Sequence, residues 1–258
     1  MEERPDFTAY PTWLHDRLSV DLASHKRVFQ LNQNASVGWA QECSFFKELS
    51  ATLKSADEEY QKLHHVPLLA KPDSEFRLLR KDYESVVNKS FRENIRNNKS
   101  FPEPPSSGWT LPAEACHRIN DSLRGELICR YLDGPPFLAE RLTRLAAFHS
   151  LRSETKRQER DSGYYAIHFY VFIPMSLAGL DGKLADVSVS VEIQLATQLQ
   201  DLLRALTHGI YERLRISEQE ETGWMWDGLS PRFRSSFLGH TLQMIEGLLV
   251  SLRNEVMK

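Results

Sequence analysis

Hydrophobic positions change their period along the chain. Phe45, Leu49, Leu53, Tyr60 and Leu63 recur at the spacing of one helix face, and the first 70 residues read as helices. A second, basic helix is expected from about Glu75 to Asn97, followed by a loop through Phe101-Pro102-Glu103-Pro104-Pro105-Ser106-Ser107-Gly108-Trp109. Leu127 to Leu132 is short and apolar with Asp133-Gly134-Pro135-Pro136 behind it, which predicts a strand and a turn. Phe137 to Ser150 reads as a helix and Tyr164 to Ile173 as an aromatic strand. Beyond an Asp181-Gly182 turn, Val187, Val189, Val191, Ile193 and Leu195 alternate with Ser188, Ser190, Glu192 and Gln194. That period of two sets Glu192 and Gln194 on the polar face of a strand. Leu199, Leu202, Leu203, Leu206, Ile210 and Leu214 predict a helix. So do Leu238, Leu242, Ile245, Leu248, Leu249 and Leu252 after Pro231. The pattern implies an α+β fold, a small mixed β-sheet flanked by helices. We expect an N-terminal helical extension over 1–70, a central domain over 71–217, and a C-terminal helix over 218–258 packing on it.

Composition narrows the function classes. The 258 residues suffice for one large domain with its own core. Cys43, Cys116 and Cys129 are scattered, so neither a zinc cluster nor a disulfide scaffold is expected, and a reducing, cytoplasmic compartment is. The acidic and proline-containing N-terminus does not read as a signal peptide. Gly163 to Leu180 lacks Asp, Glu, Lys and Arg. Its length is compatible with a membrane helix, but His168, Pro174, clustered aromatics and Gly179 fit a buried strand and its turn better.

The net charge of −3 argues against a general nucleic-acid binder. The charge is uneven, however. Phe76 to Ser100 and Arg141 to Arg160 are locally basic, and Asp186 to Gly223 is acidic. This distribution suits a site for a polyphosphate and a metal; it equally suits ordinary solvated helix faces.

The glycine-rich phosphate loops GxGxxG and GxxxxGK[ST] are absent from the sequence, as are the zinc-protease helix and the GxSxG elbow. Phosphate handling would therefore fall to side chains and a metal. Glu192 is the most informative single residue. An acid within a valine-rich strand costs free energy unless it meets partners or a wet cleft. There it can ligate Mg²⁺ or accept a proton. The alternative is an exposed acid on a half-solvated strand.

Gly163-Tyr164-Tyr165-Ala166-Ile167-His168 and Glu192-Ile193-Gln194-Leu195-Ala196-Thr197 stand one hairpin apart. Together they resemble the GYxxxH and E-[IV]-Q strands of the RelA/SpoT synthetase family. Lys81, Ser85 and Lys89 match its basic helix, Asp121 the aspartate that opens its next strand, Arg160 its basic residue four before the tyrosine, and His208 its following helix. The resemblance covers about Arg77 to Arg215. It implies the family's nucleotidyltransferase fold and transfer of pyrophosphate from ATP to a ribose 3′-hydroxyl.

Several site roles follow from the resemblance. Asp121 and Glu192 would hold Mg²⁺, with Glu192 also helping deprotonate the acceptor. Lys81, Ser85, Lys89 and Arg160 would bind ATP. Tyr164, His168 and Gln194 would take the acceptor, with Tyr164 stacking on its base. The bland alternatives are a core or rim position for Tyr164 and His168 and solvated lysines.

Three positions depart from the family pattern. Leu79 stands where the family has arginine, with Arg77 and Arg80 nearby. Tyr165 replaces an arginine or glutamine, and Ala196 replaces a frequent arginine. The stretch from Glu192 to Glu212, the proline-tryptophan loop and Tyr131-Leu132-Asp133-Gly134 resemble the toxic small alarmone synthetases. That implies a translation-blocking toxin acting on the tRNA 3′ end, with a neutralising antitoxin protein as partner. Arg92, Arg96, Lys99, Arg152, Lys156 and Arg157 would then be tRNA contacts. The alternatives are an alarmone synthetase making (p)ppGpp or (p)ppApp, and an inactive nucleotide- or protein-binding module. Because Gly209 follows His208, the family's hydrolase metal motif is not expected.

Overall fold

The computed structural model describes residues 3–70, 76–216 and 223–257. Among these, eight α-helices flank a mixed five-stranded sheet. The helices are α1 (Tyr10–Leu18), α2 (Leu22–Glu42), α3 (Ser44–His64), α4 (Tyr83–Phe91), α5 (Ala115–Arg118), α6 (Gly134–Phe148), α7 (Gln198–Ile216) and α8 (Pro231–Val256). The strands are β1 (Leu79–Arg80), β2 (Leu123–Cys129), β3 (Ser153–Glu159), β4 (Tyr165–Ala178) and β5 (Leu184–Thr197), and their order across the sheet is β1-β2-β5-β4-β3. The α+β expectation is met. Gly163 to Leu180 is turn and strand, and no helix among the described residues is long and apolar enough to cross a membrane.

The chain divides into two compact units. One comprises Met1–Lys47, Leu78–Gly125 and Tyr170–Glu192; the other comprises Glu48–Arg77, Glu126–Phe169 and Ile193–Lys258. In the first unit, Tyr10, Leu14, Val20, Val87 and Ile95 form a buried cluster. A polar network runs through it: the Asn94 amide donates to the Tyr10 hydroxyl at 2.8 Å and to the Thr110 carbonyl at 3.0 Å, and Tyr10 shares a hydrogen bond with Ser90 at 2.7 Å. Burial pushes the Tyr10 phenol up to about 12, so it stays a neutral donor.

The expected helix over 75–97 is shorter in the structure. Leu79 and Arg80 pair antiparallel with Arg124 and Leu123 of β2 instead. The Asp82 carboxylate then accepts from the Ser85 N–H at 2.7 Å and starts α4. A π-helical turn, Arg92–Arg96, continues it.

In the second unit, Asp133 anchors three elements. It accepts from the Tyr60 hydroxyl of α3 at 2.6 Å and from the Arg253 guanidinium of α8 at 2.5 Å, and it stands at the N-cap of α6. The expected turn at Gly134-Pro135-Pro136 forms the first turn of α6, where proline costs no hydrogen bond. Gly134 is needed there, because a Cβ would lie 2.7 Å from Cβ of Cys129.

Helix α8 packs through an unexpected face. Its buried residues are Ser235, Ser236, Gly239 and Glu246, whereas Leu238, Ile245, Leu248, Leu249 and Leu252 of the leucine stripe are exposed.

Candidate functional site

In the first unit the β1–β2 register creates a charge cluster. Arg80 opposite Leu123 brings the residues just after β1 beside those just before β2. The Lys81 N–H donates to the Ser122 carbonyl at 3.1 Å, and the buried Gln33 amide donates to the Lys81 carbonyl at 2.8 Å. Fixed in this way, the Lys81 ammonium meets Oδ2 of Asp121 at 2.7 Å. Lys89, eight residues on along α4, meets Oδ1 at 2.7 Å. All three side chains are mostly buried, with exposures of 14%, 22% and 21% for Lys81, Lys89 and Asp121. Burial pushes the Asp121 carboxyl up, but Lys89 and Lys81 outweigh it and hold the group far below the usual carboxylate range. Ser85 is half-buried in the first turn of the same helix.

Glu192 belongs to this unit. The Ser190 hydroxyl reaches the Asn120 carbonyl at 3.3 Å, next to Asp121. Glu192 lies two residues farther along β5 and so shares that face. It is 4% exposed, which removes the reading of an exposed acid on a half-solvated strand. Among the described residues no cluster of three or more His, Cys, Asp or Glu side chains could hold a metal. Mg²⁺ needs only one or two protein carboxylates when phosphates and water complete its shell. The hard oxygen donors of Asp121 and Glu192 fit that demand.

In the second unit a turn presents the expected acceptor residues. The Arg160 N–H donates to the Tyr164 carbonyl at 3.2 Å, and the Gly163 N–H donates to the Arg160 carbonyl at 2.8 Å. The Tyr164 hydroxyl meets Nε2 of the buried His168 at 3.0 Å, and the Arg160 guanidinium lies 5.7 Å from the Tyr164 ring centre. Arg160 also donates to Oε1 of Gln158 at 3.0 Å.

Gln194 accepts at 2.8 Å from Arg204 of α7, a residue that sequence reasoning missed. Arg204 also donates to Glu126 and Asp201 at 2.6 Å each. Burial opposes its charge, but Glu126 and Asp201 hold the guanidinium firmly ionised. Its spacing of three residues after Asp201 on one helix was the available signal. The His208 side chain lies outside the described residues.

The six residues expected to touch tRNA fall into two groups. In the first unit Arg96 and Lys99 are exposed and Arg92 is half-buried. In the second unit Arg152 and Lys156 flank Glu154 at 3.3 and 3.5 Å, and Arg157 is exposed on β3.

No protein-family model and no curated protein sequence matches the chain. Solved structures do. The small alarmone synthetase 1 from Bacillus subtilis superposes with a TM-score of 0.54 at 17% identity, over 86% of this chain and 95% of that one. The same protein bound to its product pppGpp gives 0.52 at 18% identity, over 86% and 96%. The chain thus has the RelA/SpoT-like synthetase fold of the small alarmone synthetases.

Proposed function

We propose that the protein transfers pyrophosphate from ATP to a ribose 3′-hydroxyl. The observation that carries this reading is the pair of ammonium groups, Lys81 and Lys89, gathered on one ionised carboxylate beside the face of Glu192. A polyphosphate offers both lysines more charge than Asp121 does, and so draws them off it. Asp121, released from them, and Glu192 are the residues that would hold Mg²⁺. When bound, the ion supplies charge neutralisation along the phosphates. Arg160 adds a further cation for the polyphosphate, and Ser85 a hydrogen bond.

The acceptor oxygen bonds to the β-phosphorus of ATP as the bond to the α-phosphate oxygen breaks, and AMP leaves. Glu192 takes the hydroxyl proton. Tyr164 stacks on the acceptor base, His168 fixes the Tyr164 hydroxyl, and Gln194, held by Arg204, contacts the acceptor.

For the acceptor we favour the 3′ end of tRNA, which would make the protein an inhibitor of translation controlled by an antitoxin partner. Support comes from exposed basic residues at Arg96, Lys99 and Arg157, with Arg92, Arg152 and Lys156 beside them. A guanosine nucleotide is the second reading, favoured by the likeness to a synthetase whose bound product is pppGpp. The test is the triple change of Arg92, Arg96 and Lys99 to Ala, assayed with tRNA and with GDP. Selective loss with tRNA, together with a salt dependence shallower by a little under one log–log unit per lost contact, supports the tRNA reading. Equal loss with both acceptors, or labelling of GDP alone by the unaltered protein, contradicts it.

A further inference from the structure

Helix α2 lies outside Arg77 to Arg215, the stretch that carries the family resemblance, yet it grips the charge cluster of the first unit. Three consecutive amide side chains of α2 each hold a different piece of backbone or side chain. Asn32 takes both sides of the Ala178 backbone at the end of β4: its amide donates to the Ala178 carbonyl and its Oδ1 accepts from the Ala178 N–H, each at 2.8 Å. Asn34 Oδ1 accepts from the Arg80 guanidinium at 2.6 Å. Between them, Nε2 of Gln33 donates to the Lys81 carbonyl at 2.8 Å and reaches the Ser122 carbonyl at 3.4 Å.

A glutamine amide carries two N–H donors. Gln33 points one at Lys81 and the other at the neighbour of Asp121, so a single side chain joins the two segments that carry the ion pair. Gln33 is 7% exposed and Ser122 fully buried, which keeps water from competing for these carbonyls. Ser122 is fixed in turn, because its hydroxyl donates to the Cys116 carbonyl at 3.0 Å. Burying an amide costs free energy that an apolar side chain would not incur, and only the bonds it makes offset that cost. The Lys81 ammonium rides on a flexible four-carbon stem. Its reach is therefore set by where the backbone of Lys81 is held, and a misplacement of about 1 Å is enough to weaken a site that orients charged groups.

On the reading of Lys81 and Asp121 as part of the ATP site, we infer that Gln33 is a positioning residue for that site. It holds the backbone of Lys81 against that of Ser122 and so sets the approach of the Lys81 ammonium to Asp121 and to the polyphosphate. The N-terminal helices thereby contribute to the donor site through α2.

The test is calorimetric affinity of the full chain for an α,β-methylene analogue of ATP with Mg²⁺, which needs no acceptor and no turnover. Gln33→Met keeps the length of the side chain but has no donor. It is expected to weaken analogue binding by about three- to tenfold, the worth of one neutral hydrogen bond. Asn32→Ala breaks two bonds of the same helix at Ala178 and is expected to lower the melting temperature without changing analogue affinity. In a Lys81→Ala background, Gln33→Met is expected to cause no further loss, because it acts through that ammonium. Should Gln33→Met fail to fold, Gln33→Asn, which keeps the amide but withdraws it by one carbon, enters the same comparison. Unchanged affinity in a Gln33 variant that melts lower overturns the inference, as does an equal loss of affinity in Asn32→Ala. A full additional loss on top of Lys81→Ala also overturns it. Failure of the unaltered protein to bind the analogue overturns the ATP reading first, and the role of Gln33 with it.

Discussion

Gly239 of α8 lies against Gly163 of the tyrosine turn so closely that a Cβ on Gly239 would stand 2.3 Å from the Gly163 carbonyl oxygen. Gly163 has φ +74, and a Cβ there would lie 2.3 Å from the Ser236 carbonyl oxygen. The Ser236 hydroxyl donates to the Asp161 carbonyl, and Tyr165 shares a 2.7 Å hydrogen bond with Nδ1 of His240. Helix α8 therefore fixes the turn that presents Tyr164. Gly239→Ala is expected to lower the melting temperature and to raise the acceptor KM more than the ATP KM. Gly38→Ala, in α2 with nothing near its Cβ position, is expected to be neutral or to stabilise by up to about 1 kcal/mol. Equal melting temperatures for Gly239→Ala and the unaltered protein would remove α8 from this role.

The cluster at Asp121 makes a prediction about pH. Its folded-state pKa is depressed by Lys89 and Lys81 despite burial. The stabilisation is therefore fully present above the unfolded value, near pH 4. It is lost as pH falls below that toward the folded value. Asp121→Asn removes it. The stability gap between the unaltered protein and Asp121→Asn is expected to be full at neutral pH and to narrow on acidification below about pH 4. Chemical denaturation across that range measures it, and a constant gap would show that the lysines do not govern this carboxylate. At neutral pH Asp121→Asn and Glu192→Gln are each expected to abolish transfer, and more ATP is not expected to rescue Asp121→Asn.

Lys81→Ala is expected to raise the ATP requirement more than the acceptor requirement, and Arg160→Ala likewise. The opposite split for Arg160 would assign it to the acceptor with Tyr164, whose ring it overlies.

Tyr164→Ala is expected to weaken acceptor use by about 1–3 kcal/mol, the worth of one stacked base. Tyr164→Phe keeps the ring but removes the bond to His168. If stacking is the role, Phe retains most activity. Steady-state kinetics with varied acceptor separates the cases, and a Phe variant as poor as Ala would shift the role to the hydroxyl.

Arg204→Met leaves Glu126 and Asp201 without their shared cation and removes the Arg204 hydrogen bond to Gln194. Losing charged hydrogen bonds of this kind costs about 1.5–3 kcal/mol each. The variant is expected to melt lower and to lose acceptor affinity. Arg204→Lys is expected to recover little, because one ammonium cannot span three acceptors.

The strands were the most legible part of the chain. Val187 to Leu195 alternates because one face is packed by apolar side chains and the other carries Ser190, Glu192 and Gln194, and that asymmetry is written directly into the residue order. The two-residue β1 was not legible. Leu79 and Arg80 are exposed and gain their conformation from pairing with residues more than forty positions away. The orientation of α8 was missed for a different reason. Periodicity shows which face of a helix is apolar, but not which face turns inward, and here Ser235, Gly239 and Glu246 do. Arg204 was not legible because Glu126, which its guanidinium meets at 2.6 Å, is 78 residues away in the chain. Lys81, Lys89 and Asp121 were each legible as candidates; that two lysines rest on one carboxylate depends on the β1–β2 register.

The central claim is pyrophosphate transfer, and one assay addresses it most directly. The protein is incubated with γ-labelled ATP, Mg²⁺ and, separately, total tRNA, GDP, GTP, AMP or ATP as acceptor. Label is expected on an acceptor with one AMP released per label transferred, because the β and γ phosphates move together. Both signals are expected to be lost in Glu192→Gln. Release of labelled inorganic phosphate with ADP, or no transfer to any acceptor from folded protein, would contradict it.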